Sequence, residues 1–262
     1  MAKVISFLNF KGGVGKSTST VNVAKALFNL GNKTLVVDAD AQGNASKMMG
    51  YRPAKAEEEP LKTLYDAMTG KVDLKYCICL EKEDIEGYEF VPANSELYFC
   101  EQELVSKTGR EYILKMLLEP HLIDYDYILI DCPPNNGLLA INAMCASDYL
   151  IIPINCEVFA LDGMGMISAK YEEVKKIINP KLEILGYLMA RYDKRLTLHR
   201  DAVKAMETTF GDKVFKTKIR TNIPLAQSPA QFTNVFEIAP DSPGAKDYAQ
   251  LAKEILARIT NH

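Results

Sequence analysis

The eight residues Lys11-Gly12-Gly13-Val14-Gly15-Lys16-Ser17-Thr18 constrain this chain more than any other stretch. They follow an apolar run, Val4-Ile5-Ser6-Phe7-Leu8, that reads as a buried strand. They lead into residues 17–30, where Val21, Ala24, Leu27 and Phe28 fall at helical spacing. Strand, glycine loop and helix in that order make a phosphate-binding unit. The glycines let the backbone curl so that its N–H groups surround phosphate oxygens, and the helix N-terminus adds partial positive charge at the same point. Lys16 is then placed to reach the β- and γ-phosphates, and the Ser17 hydroxyl to bind Mg²⁺. The generic pattern begins with a glycine where this chain has Phe10, and a second lysine, Lys11, opens the loop instead.

A triphosphate site also needs carboxylates. Tyr127-Ile128-Leu129-Ile130-Asp131 is an apolar strand ending in an acid, and Cys132-Pro133-Pro134 stops it because neither proline can donate to a sheet ladder. Asp131 in that strand–Asp–turn setting is a Walker B candidate for the Mg²⁺ shell. A second strand, Thr34-Leu35-Val36-Val37, runs into Asp38-Ala39-Asp40-Ala41-Gln42-Gly43-Asn44, a polar edge of the kind that faces ligands in parallel sheets. Asp40 suits the task of orienting an attacking water, and Asp38 that of supporting the metal shell or the loop.

Elsewhere the chain alternates near-continuously apolar strands with helical patterns, which implies an α/β fold: a mostly parallel sheet covered on both faces. Further strands are expected at 88–91, 149–154, 182–190 and 214–219. Helices are expected at 61–68, 96–118 (closed by Pro120), 136–146, 162–178, 196–210 and 244–260. Residues 57–60 and 81–86 read as acidic surface turns within an irregular excursion from Tyr51 to Ile85. With no linker or repeat, residues 1–262 are expected to form one domain.

Six scattered cysteines in apolar surroundings, and a strand that begins by the fourth residue, point to a reduced cytoplasmic setting. Cys77-Ile78-Cys79 is too tightly spaced for a zinc pair. The net charge of −3 gives no global reason to expect a polyanion, but its distribution does. Residues 191–220 hold nine basic and four acidic side chains, leaving −8 for the rest of the protein. The aliphatic stripe Leu251, Ile255, Leu256 and Ile259 lies among charges of both signs, a pattern for packing on a sheet rather than for a membrane surface.

Residues 11–18, Val37 to Asn44, Tyr125 to Pro134 and Pro240 to Tyr248, taken in order, resemble the ParA family of DNA-partitioning ATPases with the deviant lysine-led loop. The resemblance spans essentially the whole chain. It implies a three-layer P-loop NTPase fold, ATP and Mg²⁺ as ligands, and slow hydrolysis stimulated by a ParB-type centromere-binding partner. It further implies a homodimer that sandwiches ATP, with Lys11 crossing to the partner's phosphates, and non-specific DNA binding by that dimer. By the same resemblance Tyr192, Arg220 and Asn222 lie near the adenine, and Lys194, Arg195 and Arg200 are the DNA-binding candidates. The chain is similar to short members that lack an N-terminal helix-turn-helix. It departs from the family at Ala41, where proline is usual, and at Arg220 and Pro224, where proline and arginine are usual.

Three other readings share the loop. A MinD-like positioner of membrane or protein cargo would want a basic amphipathic tail, which the last helix lacks. A nitrogenase-type iron protein would want cysteines in glycine-rich surroundings, unlike those of Cys100 and Cys132. A biosynthetic ligase or synthetase has no positive support in the sequence.

Overall fold

Seven strands form one sheet in the order β3-β4-β2-β5-β1-β6-β7. They are β1 (Lys3–Phe7), β2 (Thr34–Asp38), β3 (Cys79–Leu80), β4 (Tyr88–Val91), β5 (Tyr127–Asp131), β6 (Tyr149–Asn155) and β7 (Glu183–Ala190). The computed structural model describes residues 1–52, 60–80, 87–156 and 163–260. Every strand pairing is parallel except that of β3 with β4. Parallel neighbours need crossover connections, and the helices supply them.

The helices are α1 (Lys16–Asn29), α2 (Asn44–Met48), α3 (Leu64–Thr69), α4 (Leu97–Leu104), α5 (Ile113–Leu118) and α6 (Leu138–Ala146). They continue with α7 (Met164–Ile177), α8 (Thr197–Phe210), α9 (Ile223–Gln227), α10 (Val235–Ile238) and α11 (Pro243–Thr260). Because side chains alternate across a strand, β5 sends Ile128 and Ile130 into one core and Leu129 into the other. The first core also takes Leu64, Leu97, Leu114, Leu139 and Ile167, and the second Val21, Leu27, Met48, Leu251 and Ile255. Three layers result, as the continuous apolar strands require. The stripe on α11 is spent here: Leu251 and Ile255 are fully buried, and Leu256 and Ile259 pack at the core's margin. Among the described residues no helix is long and apolar enough to cross a membrane.

Three expectations need correction. The helix expected over 96–118 is two pieces, because the chain turns at Gly109 (φ 68°) and Arg110 folds back to the Val105 carbonyl at 2.7 Å. The expected strand at 214–219 is an extended segment beside β7 that forms no continuous ladder. It makes isolated bridges, Tyr187 with Val214 and, just past β7, Tyr192 with Arg220, and the Ile219 N–H donates to the Met189 carbonyl at 2.9 Å. Its ladder is interrupted because the Lys216 and Thr217 N–H groups donate instead to the Glu254 carboxylate, at 2.8 and 2.9 Å. The short antiparallel β3 lies in the stretch read as irregular excursion. The acidic turns expected at 57–60 and 81–86, and the first residue of the helix expected at 162–178, fall wholly or largely outside the described residues.

Gly186 lets that extended segment approach β7. A Cβ there would lie 2.7 Å from both the Lys213 carbonyl oxygen and the Phe215 ring. Gly186→Ala should therefore lower stability by about 1–3 kcal/mol, an overpacking penalty measurable by urea unfolding.

Candidate functional site

The site is built at the C-terminal edge of the parallel strands, where loops after β1, β2, β5 and β7 converge. Between β1 and α1 the phosphate loop makes its turn at Gly13 (φ 75°) and Gly15 (φ 91°), left-handed values that a side chain would strain. Gly15 is also the N-cap of α1, so the first helical N–H groups open into the loop's hollow. Asn9 pins the loop from below. Its Oδ1 accepts the Lys11 N–H at 2.9 Å, and its Nδ2 donates to the Pro153 carbonyl on β6 at 2.8 Å. Lys16 folds back over the loop, its Nζ donating to the Lys11 carbonyl at 3.1 Å. Burial lowers the Lys16 pKa, and nearby Asp131, Cys132 and Asp40 oppose that fall. Lys11 itself is exposed at the outer end of the loop.

Asp38 and Asp131 end neighbouring strands in register. Asp38 is spoken for: its carboxylate accepts the Ser46 N–H at 2.7 Å, the Ser46 hydroxyl at 2.6 Å and the Asp40 N–H at 3.1 Å. Burial still pushes it up to about 6. Asp131 differs. Both carboxylate oxygens are buried and accept no hydrogen bond. The Ser17 side chain lies close enough to favour its ionised form but falls short of hydrogen-bond geometry. Burial first, and the neighbouring Asp38 second, raise its pKa well above the ordinary carboxylate range.

An unsatisfied buried carboxylate costs at least about 1–3 kcal/mol, so the arrangement favours a cation at Asp131. A hydroxyl at Ser17 and one or two acids fit Mg²⁺, which keeps waters and borrows phosphate oxygens. Among the described residues no cluster of three His, Cys, Asp or Glu could cage a metal without such help. All six cysteines are free thiols, and burial raises the Cys77 and Cys132 thiols to about 12.

A cleft of about 340 Å³ opens over the loop, with Lys16, Asp40, Asn44, Pro134, Arg191 and Pro229 in its walls. Asp40 presents its carboxylate here, held by the Gln42 N–H donating to its Oδ1 at 3.0 Å. The same loop is tied to α4 by a hydrogen bond between the Gln42 amide and the Tyr98 hydroxyl. A larger hollow of about 940 Å³ lies under β7, near Glu254 and Arg258, and none of the loop residues reaches it.

The remaining sequence candidates are dispersed. Tyr192, Arg220 and Asn222 line none of the cleft; Arg191 and Pro229 occupy that wall. Arg220 grips Asp247 with two nitrogens, at 2.9 and 2.6 Å, and so ties the edge segment to α11. Asn222 occupies the N-cap position of α9 without a capping hydrogen bond, its Oδ1 buried and without a partner among the described residues. Lys194, Arg195 and Arg200 do converge at the N-terminus of α8. Arg195 pairs with Asp193 at 2.7 Å, and Arg200 donates to the Lys194 carbonyl and the Thr197 hydroxyl, both at 2.9 Å. Sequence reasoning missed Asn9, whose signal is a polar residue between strand and glycine loop. It also missed Arg191 and Pro229, which only tertiary structure brings to the cleft.

A glycine loop between β1 and α1, a lysine over it and an orphaned acid at the end of the adjacent β5 define a P-loop nucleotide-binding protein. The family model for the AAA domain matches residues 2–184. The sporulation initiation inhibitor protein Soj of Bacillus subtilis is 38% identical over 98% of this chain and 99% of its own length. The chromosome-partitioning ATPase Soj of Treponema pallidum is 37% identical over 98% of each chain. Among solved structures, cobyrinic acid a,c-diamide synthase from Mycobacterium smegmatis, with bound ADP and magnesium, superposes with a TM-score of 0.84 at 30% identity. That match covers 99% of this chain and 96% of the other. The chain belongs to the ParA/Soj family of partitioning ATPases.

Proposed function

We propose that this protein is a single-domain, Mg²⁺-dependent ATPase of DNA partitioning, a switch that holds DNA in its ATP state and lets go after hydrolysis. The unsatisfied Asp131 carboxylate beside Lys16 and Ser17 carries the reading. Residues 12–18 cradle the phosphates, Lys16 neutralises their charge, and Ser17 and Asp131 hold Mg²⁺ with Asp38 fixing the loop beside it. The metal, when bound, draws off charge that develops on the transferred phosphoryl group. Asp40 orients the attacking water from the opposite wall. Lys11, exposed at the rim, reaches the phosphates of a second copy, so ATP joins two protomers. A ParB-type partner accelerates turnover.

The cations at the start of α8 support the DNA half. Lys194, Arg195 and Arg200 fall at the start of α8, a helix N-terminus that is itself partly positive and has no acid in its first turn, with Asp193 pairing with Arg195 just before it. A polyanion is the natural counter-charge. DNA binding should then fall steeply with salt, with a log–log slope of about −0.9 per phosphate neutralised. Asp193→Asn should release Arg195 and tighten DNA binding several-fold at low salt, read by gel retardation with a non-cleavable ATP analogue. No retardation at any salt would remove DNA from the reading.

The likeness to the cobyrinic acid diamide synthase favours a second reading, a biosynthetic enzyme on the same scaffold. Sequence relatives at 37–38% identity favour partitioning. ATPase activity measured with and without duplex DNA separates the two: stimulation supports the switch, and indifference to DNA the biosynthetic enzyme.

A further inference from the structure

The cleft holds a cation that the loop motif does not account for. Arg191 follows the last residue of β7, lines the same cleft as Gly15, Lys16 and Thr18, and makes no ion pair among the described residues. Its backbone is left-handed, with φ 54°, one of two such non-glycine residues described. An arginine has no local reason to accept that strain, which amounts to about 1–2 kcal/mol. The surroundings impose it. The Thr221 hydroxyl donates to the Arg191 carbonyl at 3.1 Å, and Tyr192 exchanges hydrogen bonds with Ile219 and Thr221 at 2.9 and 3.0 Å. The extended segment along the edge of β7 therefore fixes the direction in which Arg191 leaves the strand.

We propose that Arg191 is a nucleotide-binding residue that contacts the phosphate nearest the ribose, and so grips ATP and ADP alike. The inference rests on the phosphate-site reading above. The sheet order says which end of the nucleotide it meets. The loop springs from β1; the metal-side acids lie on β5 and β2, one and two strands to one side, and Arg191 on β7, two strands to the other. At ~4.8 Å per strand, the end of β7 stands roughly 19 Å from that of β2. The backbone of Arg191 therefore leaves the sheet on the side of the loop away from the strands that carry Asp131 and Asp40, although Arg191 and Asp40 line one cleft. The chain there passes the helix end of the loop: a Cβ on Gly15 would sit 3.8 Å from that of Ala190, the residue before Arg191. A charged, forked donor at that position matches two oxygens of one phosphate.

The test is titration of N-methylanthraniloyl-ATP and -ADP, with Mg²⁺, into the full chain carrying Arg191→Ala, Arg191→Lys or Arg191→Gly. The glycine variant keeps the left-handed turn without strain, so its fold is safe. Loss of a charge-assisted contact should weaken ATP and ADP equally, by about tenfold in the alanine and glycine variants and less in the lysine one. In steady-state kinetics the loss should fall on KM for ATP far more than on kcat, because an interaction shared by ground and transition states is uniform binding. Unchanged affinity for both nucleotides would overturn the assignment, as would a loss confined to ATP or one seen only in DNA binding. If Lys16→Ala loses nucleotide while Arg191→Ala keeps it, this assignment fails and the phosphate-site reading stands. If the unaltered protein binds neither nucleotide, both fail.

Discussion

Lys16→Ala is expected to lower affinity for Mg²⁺–ATP by about 100-fold or more, measured by isothermal titration calorimetry. The ammonium lies buried beside Asp131 and Asp40 and folds back over the loop to the Lys11 carbonyl, in the wall of the cleft. Hydrogen bonds between charged groups contribute about 1.5–3 kcal/mol each, and a lysine spanning two phosphates makes more than one. The fold should survive. Lys16 favours the ionised form of Asp131, so removing it raises the Asp131 pKa further and eases the burial of that group. An intact circular dichroism spectrum with nucleotide binding lost is the expected pair of results. Binding within tenfold of the unaltered protein would remove Lys16 from the site.

Asp40→Ala should separate binding from turnover. Asp40 sits across the cleft from the phosphate loop, and its Oδ1 is fixed by the Gln42 N–H. A misplaced or absent water-orienting group costs at least about 100-fold in rate. Affinity for ATP should change little, because Asp40 contributes negative charge rather than a phosphate contact. The alanine variant also frees the Gln42 N–H and the link through Gln42 to Tyr98, so Asp40→Asn is the sharper probe. It keeps an acceptor for Gln42 and removes only the carboxylate charge. Equal loss of turnover in both variants, in single-turnover kinetics, assigns the chemistry to the carboxylate. Activity retained by Asp40→Asn would reduce Asp40 to a loop anchor.

What the sequence disclosed follows from how local each feature is. The turn at Gly13 and Gly15, the helix that Lys16 begins and the acid at the end of β5 are set by neighbours within a few residues, and all were legible. The acidic pair at the end of β2 was legible as a pair, with support of the loop among the roles read for Asp38, but its partner Ser46, eight residues on, was not. The helix expected over 96–118 failed at a single turn, where apolar periodicity continues across Gly109 and hides the break. The edge segment after α8 has strand composition, yet its N–H groups are claimed by Glu254 from α11, a contact 38 residues away in sequence. Arg191 and Pro229 were invisible for the same reason: their place in the cleft depends on β7 lying two strands from β1 and on the return of the chain after α9.

The account turns on ATP joining two copies of the chain through Lys11. Light scattering on a size-exclusion column, with saturating Mg²⁺ and a non-cleavable ATP analogue, tests this directly. The expected result is a particle of twice the 29.2 kDa chain mass for the unaltered protein and a single-chain particle for Lys11→Ala, with analogue bound in both. Single chains from the unaltered protein, with the analogue demonstrably bound, would contradict it.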